Sequence, residues 1–109
     1  MESQIISSDI IRGHIDTIIL NLLKKGDQYG YQMGKMVSSL TEGEYELKEA
    51  SMYSSLKRLE KEECIVSYWG DETQGGRRRY YKITVKGEAL LRENKRNWDH
   101  AKKIIESLI

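Results

Sequence analysis

The apolar period of this 109-residue chain changes from helical to alternating at Cys64, and that change limits the possible folds more than any other feature. Before it, apolar residues recur at helical spacings of three and four; after it, in CIVSYWGDETQGGRRRYYKIT, they alternate. Ile65 to Trp69 and Arg78 to Ile83 read as two strands joined by a polar loop with Gly75 and Gly76, which makes a hairpin. If Ile83 points to the core, so does Tyr81, and Tyr80 and Lys82 point out. The tip is left with Arg77, Arg78 and Arg79. Three consecutive arginines cannot all face inward, and a hairpin projecting them reads as a wing that reaches along a phosphate backbone. The plainer reading is a solvated basic loop.

Three helical stretches precede the hairpin. After a polar lead-in through Ser8, with Asp9 as N-cap, Ile10 to Lys24 carries the stripe Ile11, Ile15, Ile18, Ile19, Leu22 and Leu23. It ends at Lys24, Lys25 and Gly26. GDQYGY is a turn into a second helix, Gly30 to Leu40, whose apolar face is Tyr29, Met33, Met36, Val37 and Leu40; Gly34 within it marks a close helix crossing. In the loop TEGEYEL, Tyr45 and Leu47 suit a very short strand. The third helix, Lys48 to Lys61, sets Met52, Leu56 and Leu59 on one face. Ser51, Tyr53, Ser54, Lys57, Arg58 and Lys61 occupy the others, and Glu60 is the only carboxylate between Ser51 and Lys61. Hydroxyls, a phenol and cations suit phosphates and base edges. A charged solvated face is also the commonest helix surface. Three short helices with tight connections have the layout of a helix-turn-helix domain.

From Thr84, an N-cap, the chain reads as helix to its end. Leu91, Asn94, Trp98, Ala101, Ile105 and Leu108 form a heptad seam with one polar interruption. A small domain offers too few neighbours to bury that seam, so a homodimer is expected; packing back on the first helix is the competing account. The division is residues 1–84 as DNA-binding domain and 85–109 as dimerisation helix. The expected fold is mostly α with a small β-hairpin, an α+β winged helix-turn-helix.

The net charge of +1 hides a segregation: Glu42, Glu44, Glu46 and Glu49 cluster, and so do Arg77, Arg78, Arg79 and Lys82. The local field matters to a partner more than the sum. Cys64 is the single cysteine, so no internal disulfide forms, and no apolar run is long enough for a membrane span. MESQIISSD has no signal-like pattern, so a cytoplasmic location is expected. An enzyme is not expected, and neither a cofactor nor a metal. Cys64 reads as buried, His14 and His100 are far apart in sequence, and no phosphate-cradling glycine loop or metal-ligand set is present. His14 reads as a packed imidazole.

Taken together, RGHIDTIIL (Arg12 to Leu20), YGYQM (Tyr29 to Met33), SMYSSLKRLEKEECI (Ser51 to Ile65) and GGRRRYYKIT (Gly75 to Thr84) resemble the PadR family of bacterial transcriptional regulators. The resemblance covers nearly the whole chain, and the order and spacing of the four motifs is what makes it specific. It implies a winged helix-turn-helix with Ser51 to Lys61 as recognition helix and Gly75 to Arg79 as wing tip. It also implies a homodimer held by the last helix against the partner's first and last helices, and a pseudo-palindromic operator in double-stranded DNA. Family members commonly repress genes and release DNA when a small molecule binds. On this reading Ser51, Tyr53, Ser54, Lys57, Arg58 and Lys61 enter the major groove or grip its edges, and Arg77, Arg78 and Arg79 meet phosphates or the adjacent minor groove. A phenol at Tyr53 packs as readily as it reads. Trp98 matches a tryptophan with which some small members stack planar aromatic compounds between subunits, and Ile15 and Asp99 are the expected neighbours of such a ligand; the simpler role for Trp98 is core packing in the dimer. The reading from another class is a winged-helix protein-interaction module without DNA contact, against which the arginine-rich tip counts.

Overall fold

A computed structural model of the chain describes residues 8–70 and 76–109. Gly75, expected in the hairpin loop, lies outside the described residues. Helix α1, Ser8–Arg12, and helix α2, Ile15–Lys24, replace the single helix expected from Ile10. The break falls at Gly13 and His14, because glycine is the costliest ordinary residue inside a helix. His14 turns the chain at φ −112° and ψ 1°; its N–H donates to the Ile11 carbonyl (2.7 Å) and its carbonyl accepts from Ile18 (2.9 Å). Asp9 lies within α1, not before it, and pairs with Arg12 at 2.8 Å. Helix α2 buries Ile15, Ile19, Leu20, Leu22 and Leu23, a wider face than the expected stripe, since it packs against several elements at once. It stops as expected at Gly26, whose φ of 154° few side chains tolerate.

The turn after α2 contains a strand that the apolar pattern does not reveal. Strand β1, Gln28–Tyr29, pairs antiparallel with β3, Arg79–Ile83, which in turn pairs with β2, Ile65–Trp69, giving the order β1-β3-β2. The hairpin register sets Ile65 opposite Ile83 and Trp69 opposite Arg79, so Tyr81 and Ile65 face the core. The expected strand at Tyr45 and Leu47 does not form. Leu47 enters the core from a loop, and the Tyr45 N–H donates to the Thr41 hydroxyl (3.1 Å) where a strand partner would otherwise stand.

Helix α3, Gly30–Leu40, buries Met33 and Val37, while Leu40 is left on the surface. Gly34 is not a crossing point: a Cβ there would meet nothing within 4 Å. The close approach occurs at Gly30, against helix α4, Glu49–Lys61. Helix α4 buries Met52, Leu56 and Leu59 as expected, and also Ser55. It ends in paired bonds, Glu63 N–H to the Glu60 carbonyl (3.0 Å) and Cys64 N–H to the Leu59 carbonyl (2.9 Å), with Glu63 in the left-handed region at φ 63°. Cys64 is buried.

Helix α5, Val85–Leu108, starts at the expected Thr84, whose hydroxyl accepts from the Gly87 N–H (3.0 Å) and donates to the Glu63 carbonyl (2.8 Å). Its 24 residues extend for about 36 Å. The seam divides in two. Leu91 is buried, the Asn94 amide donates to the Thr17 hydroxyl (2.9 Å) and Trp98 meets His14, so this half packs back on α2 of its own chain. Beyond Trp98, Ile104, Ile105 and Leu108 are exposed. The element set, four helices with the short strand β1 between the second and third, then the hairpin that completes a three-stranded antiparallel sheet, and a long last helix, is a winged helix-turn-helix. No described helix is long and apolar enough to cross a membrane.

Candidate nucleic-acid interface

Helix α4 is clamped from both sides by charged side chains. On the α2 side, Asp16 accepts from the buried Ser55 hydroxyl and from Arg58, whose Nη2 reaches Oδ1 at 2.5 Å and whose Nε reaches Oδ2 at 3.1 Å. On the wing side, Arg79 donates to Glu60 (3.1 Å) and to the Ser67 hydroxyl (2.9 Å), which itself donates to Glu60. The carboxylate expected to stand alone on the recognition helix is thus neutralised by the wing. Between the clamps Ser54, Lys57 and Lys61 are exposed, and neither lysine has a hydrogen-bond or ion-pair partner among the described residues. Ser51 is half-buried at the start of the helix.

Tyr53 is half exposed, and its phenol lies against the start of α3: a Cβ on Gly30 would sit 2.5 Å from the hydroxyl. Only glycine leaves the ring that position. Tyr53 therefore packs and faces outward at once, on the rim of a polar notch of about 460 Å³ shared with Tyr29, Tyr31, Arg78 and Arg79. The wing strands carry an aromatic layer on their outer side. Tyr80 stacks on Tyr68 (5.7 Å between centroids) and meets Tyr29 edge-on (5.4 Å), and the Tyr68 hydroxyl donates to Asp27 across the sheet (2.5 Å). Arg78 lies over Tyr29 (4.7 Å) and Arg77 over Trp69 (5.5 Å). Arg79 also lies over a ring, that of Tyr81 (5.7 Å), but it alone of the three is seen to turn to α4 as well, through Glu60.

Asp16 also makes stability depend on pH. Burial alone would raise its carboxyl, but hydrogen bonds from Arg58 and Ser55 and the Arg58 charge outweigh it and hold the group below its ordinary 3.8. A carboxyl depressed on folding contributes stability that is complete above the unfolded value and is lost as pH falls through the folded one. Melting temperatures of Asp16→Asn should consequently fall less steeply than those of the native protein between about pH 4 and pH 2. Parallel curves would show the clamp to be energetically silent.

On another face of α2, a groove of about 520 Å³ is walled almost wholly by apolar groups, among them Ile10, Ile18, Leu40, Tyr45 and Trp98, with His14 beside them. Trp98 meets the His14 ring edge-on at 4.7 Å, and Lys102 lies 5.6 Å over its centroid. Asp99 pairs with Lys102 at 3.4 Å on the surface. Ile15 differs from expectation: it belongs to the buried core and is not among the groove's walls, since His14 and Ile18, one turn apart, take that face and Ile15 lies about 100° around the helix from His14. Among the described residues no cluster of His, Cys, Asp or Glu could hold a metal ion.

Asp16 and Ser55 were not among the residues singled out from sequence. Asp16 carries a signal, since it is the one carboxylate in α2; Ser55 carries another, since it lies at helical spacing between Met52 and Leu59 on the buried face.

Residues 19–93 match the profile of the transcriptional regulator PadR-like family. The chain belongs to the PadR-like family. A transcriptional regulator from Clostridium thermocellum shares 45% identity over 95% of this chain and 98% of its own, with a TM-score of 0.88. A PadR family transcription regulator from Clostridium difficile R20291 shares 39% over 88% and 98%, with a TM-score of 0.74. Among curated relatives, an uncharacterised protein of Lysinibacillus sphaericus is 46% identical over 93% of each chain. The transcriptional regulator YqjI of Escherichia coli is 29% identical over 83 residues, and this chain spans 38% of its length. The two clostridial proteins and YqjI are transcriptional regulators, and PadR-family regulators bind DNA and are typically dimeric.

Proposed function

We propose that this protein is a sequence-specific double-stranded-DNA-binding regulator that acts as a homodimer on a pseudo-palindromic operator. The observation that carries this reading is the neutralisation of Glu60 by Arg79 and Ser67, which leaves the outer side of α4 from Ser51 to Lys61 with hydroxyls and cations only, beside Arg77 and Arg78. Ser51, Tyr53, Ser54, Lys57, Arg58 and Lys61 read or grip the major groove, and the wing arginines hold phosphates or the adjacent minor groove. Residues 1–84 bind DNA and residues 85–109 form the dimer. Exposed Ile104, Ile105 and Leu108 are the surface a second copy covers, and half-sites lie about 10 base pairs apart.

The protein represses, and a planar aromatic effector releases it. Its site is the apolar groove beside Trp98, completed at the dimer interface. Release requires the ligand to favour a dimer shape whose recognition helices no longer match successive grooves, since a ligand that binds both shapes equally shifts nothing.

A gel shift on the DNA upstream of its own gene, titrated with salt and nonspecific competitor, tests the reading. Binding that resists competitor and weakens steeply with salt is expected. Absence of salt-sensitive binding to any fragment in a genome-wide selection would leave the protein-interaction module as the function.

A further inference from the structure

The Asp16 carboxylate touches two side chains of α4 that differ in freedom. Ser55 is fully buried and donates to Oδ1, so the carboxylate is anchored to a hydroxyl that cannot move without opening the core. Arg58 is half exposed and meets the same carboxylate through its Nε–Nη2 edge. A planar guanidinium held by one edge is fixed in orientation, and its terminal edge, where Nη1 and the second Nη2 hydrogen form a fork, has no further protein acceptor among the described residues. Lys57 and Lys61 on the same helix are rotatable point charges without partners among the described residues.

We propose that Asp16 is a positioning residue for DNA recognition: it sets Arg58 as an oriented fork whose outer edge meets one fixed pair of acceptors, on a guanine or a phosphate, in each half-site. The inference rests on the DNA-binding reading above. It opposes a simpler account in which Asp16 only masks the charge of Arg58, and the two differ in sign. Removing a negative charge beside a DNA face tightens binding to any duplex. Removing a positioning group weakens binding to the operator alone, because a freed guanidinium must be ordered again on binding.

The measurement compares affinity for the duplex that the native protein selects from a random pool with affinity for a scrambled duplex of the same length. In Asp16→Asn the scrambled duplex should bind more tightly, and the ratio of the two affinities should fall roughly tenfold. Arg58→Lys keeps the charge but lacks the fork and, at a half-exposed site, leaves the fold intact; it should lower the ratio similarly, and the double variant should lower it no further. Base-by-base substitution of the selected duplex separates the acceptors: discrimination lost at one position per half-site marks a guanine, and uniform loss marks a phosphate. A ratio unchanged in either single variant, or losses that add in the double variant, would overturn the positioning role. Native protein with no preference for any duplex would instead overturn the DNA-recognition reading itself.

Discussion

Replacing Gly87 by alanine is expected to cost about 1–3 kcal/mol and to lower the melting temperature by roughly 5–20 °C, because the added methyl group collides with backbone. A Cβ at this position lands on the Cys64 carbonyl oxygen, inside contact distance, and within 2.8 Å of Ile83 Cγ1. Neither neighbour can yield alone. The Cys64 carbonyl accepts from the Thr84 N–H (3.0 Å), and the Thr84 hydroxyl holds both the Glu63 carbonyl and the Gly87 N–H. These bonds join the end of α4, both wing strands and the start of α5 at one point. Gly34→Ala supplies the control, since nothing lies within 4 Å there and α3 should gain about 0.5–1 kcal/mol from a better helix former. The same exchange thus has opposite signs in two helices, measured as melting followed by circular dichroism. Equal stability of Gly87→Ala and the native protein would contradict the close approach.

The second large effect concerns the wing. Given DNA binding, Arg77→Ala and Arg78→Ala should each reduce the slope of log affinity against log salt by about 0.9. Arg79→Ala should weaken binding more than either. It removes a cation and also uncovers Glu60, which Arg79 and Ser67 otherwise neutralise, so an anion then faces the phosphates. Glu60→Gln in the Arg79→Ala background should recover the part due to that anion. Equal losses for all three arginines, or no recovery, would mean that Arg79 acts as a third wing contact and not as a cover for Glu60.

Much of this arrangement is legible in residue order because it is local. Met52, Leu56 and Leu59 bury where their spacing puts them, the hairpin pairs Ile65 with Ile83, and Thr84 caps α5. What spacing does not reveal is set by distant partners. Gln28 and Tyr29 become a strand only because β3 lies alongside, a pairing across some fifty positions that two residues cannot advertise by alternation. Gly34 and Gly30 are indistinguishable as letters, and only the location of Tyr53 makes one of them tight. The heptad seam keeps one spacing throughout the sequence, yet its first half packs on α2 because His14 and Thr17 offer Trp98 and Asn94 partners within the chain. Arg58 and Arg79 read as two more free cations until the acids facing them, Asp16 and Glu60, are located.

The Asn94 bond to Thr17 has a mechanical consequence. Sliding α5 along α2 by one turn would bring Leu90 or Trp98 to that hydroxyl and strand both polar groups, so translation along the axis is penalised more than a small tilt about the bond, which keeps it made. Asn94 is therefore a fulcrum. Leu108 lies about 21 Å beyond it along the helix, and a tilt of about 10° displaces that end by roughly 4 Å. A disturbance in the groove beside Trp98, a single turn from the pivot, is geared up at the tip of the lever.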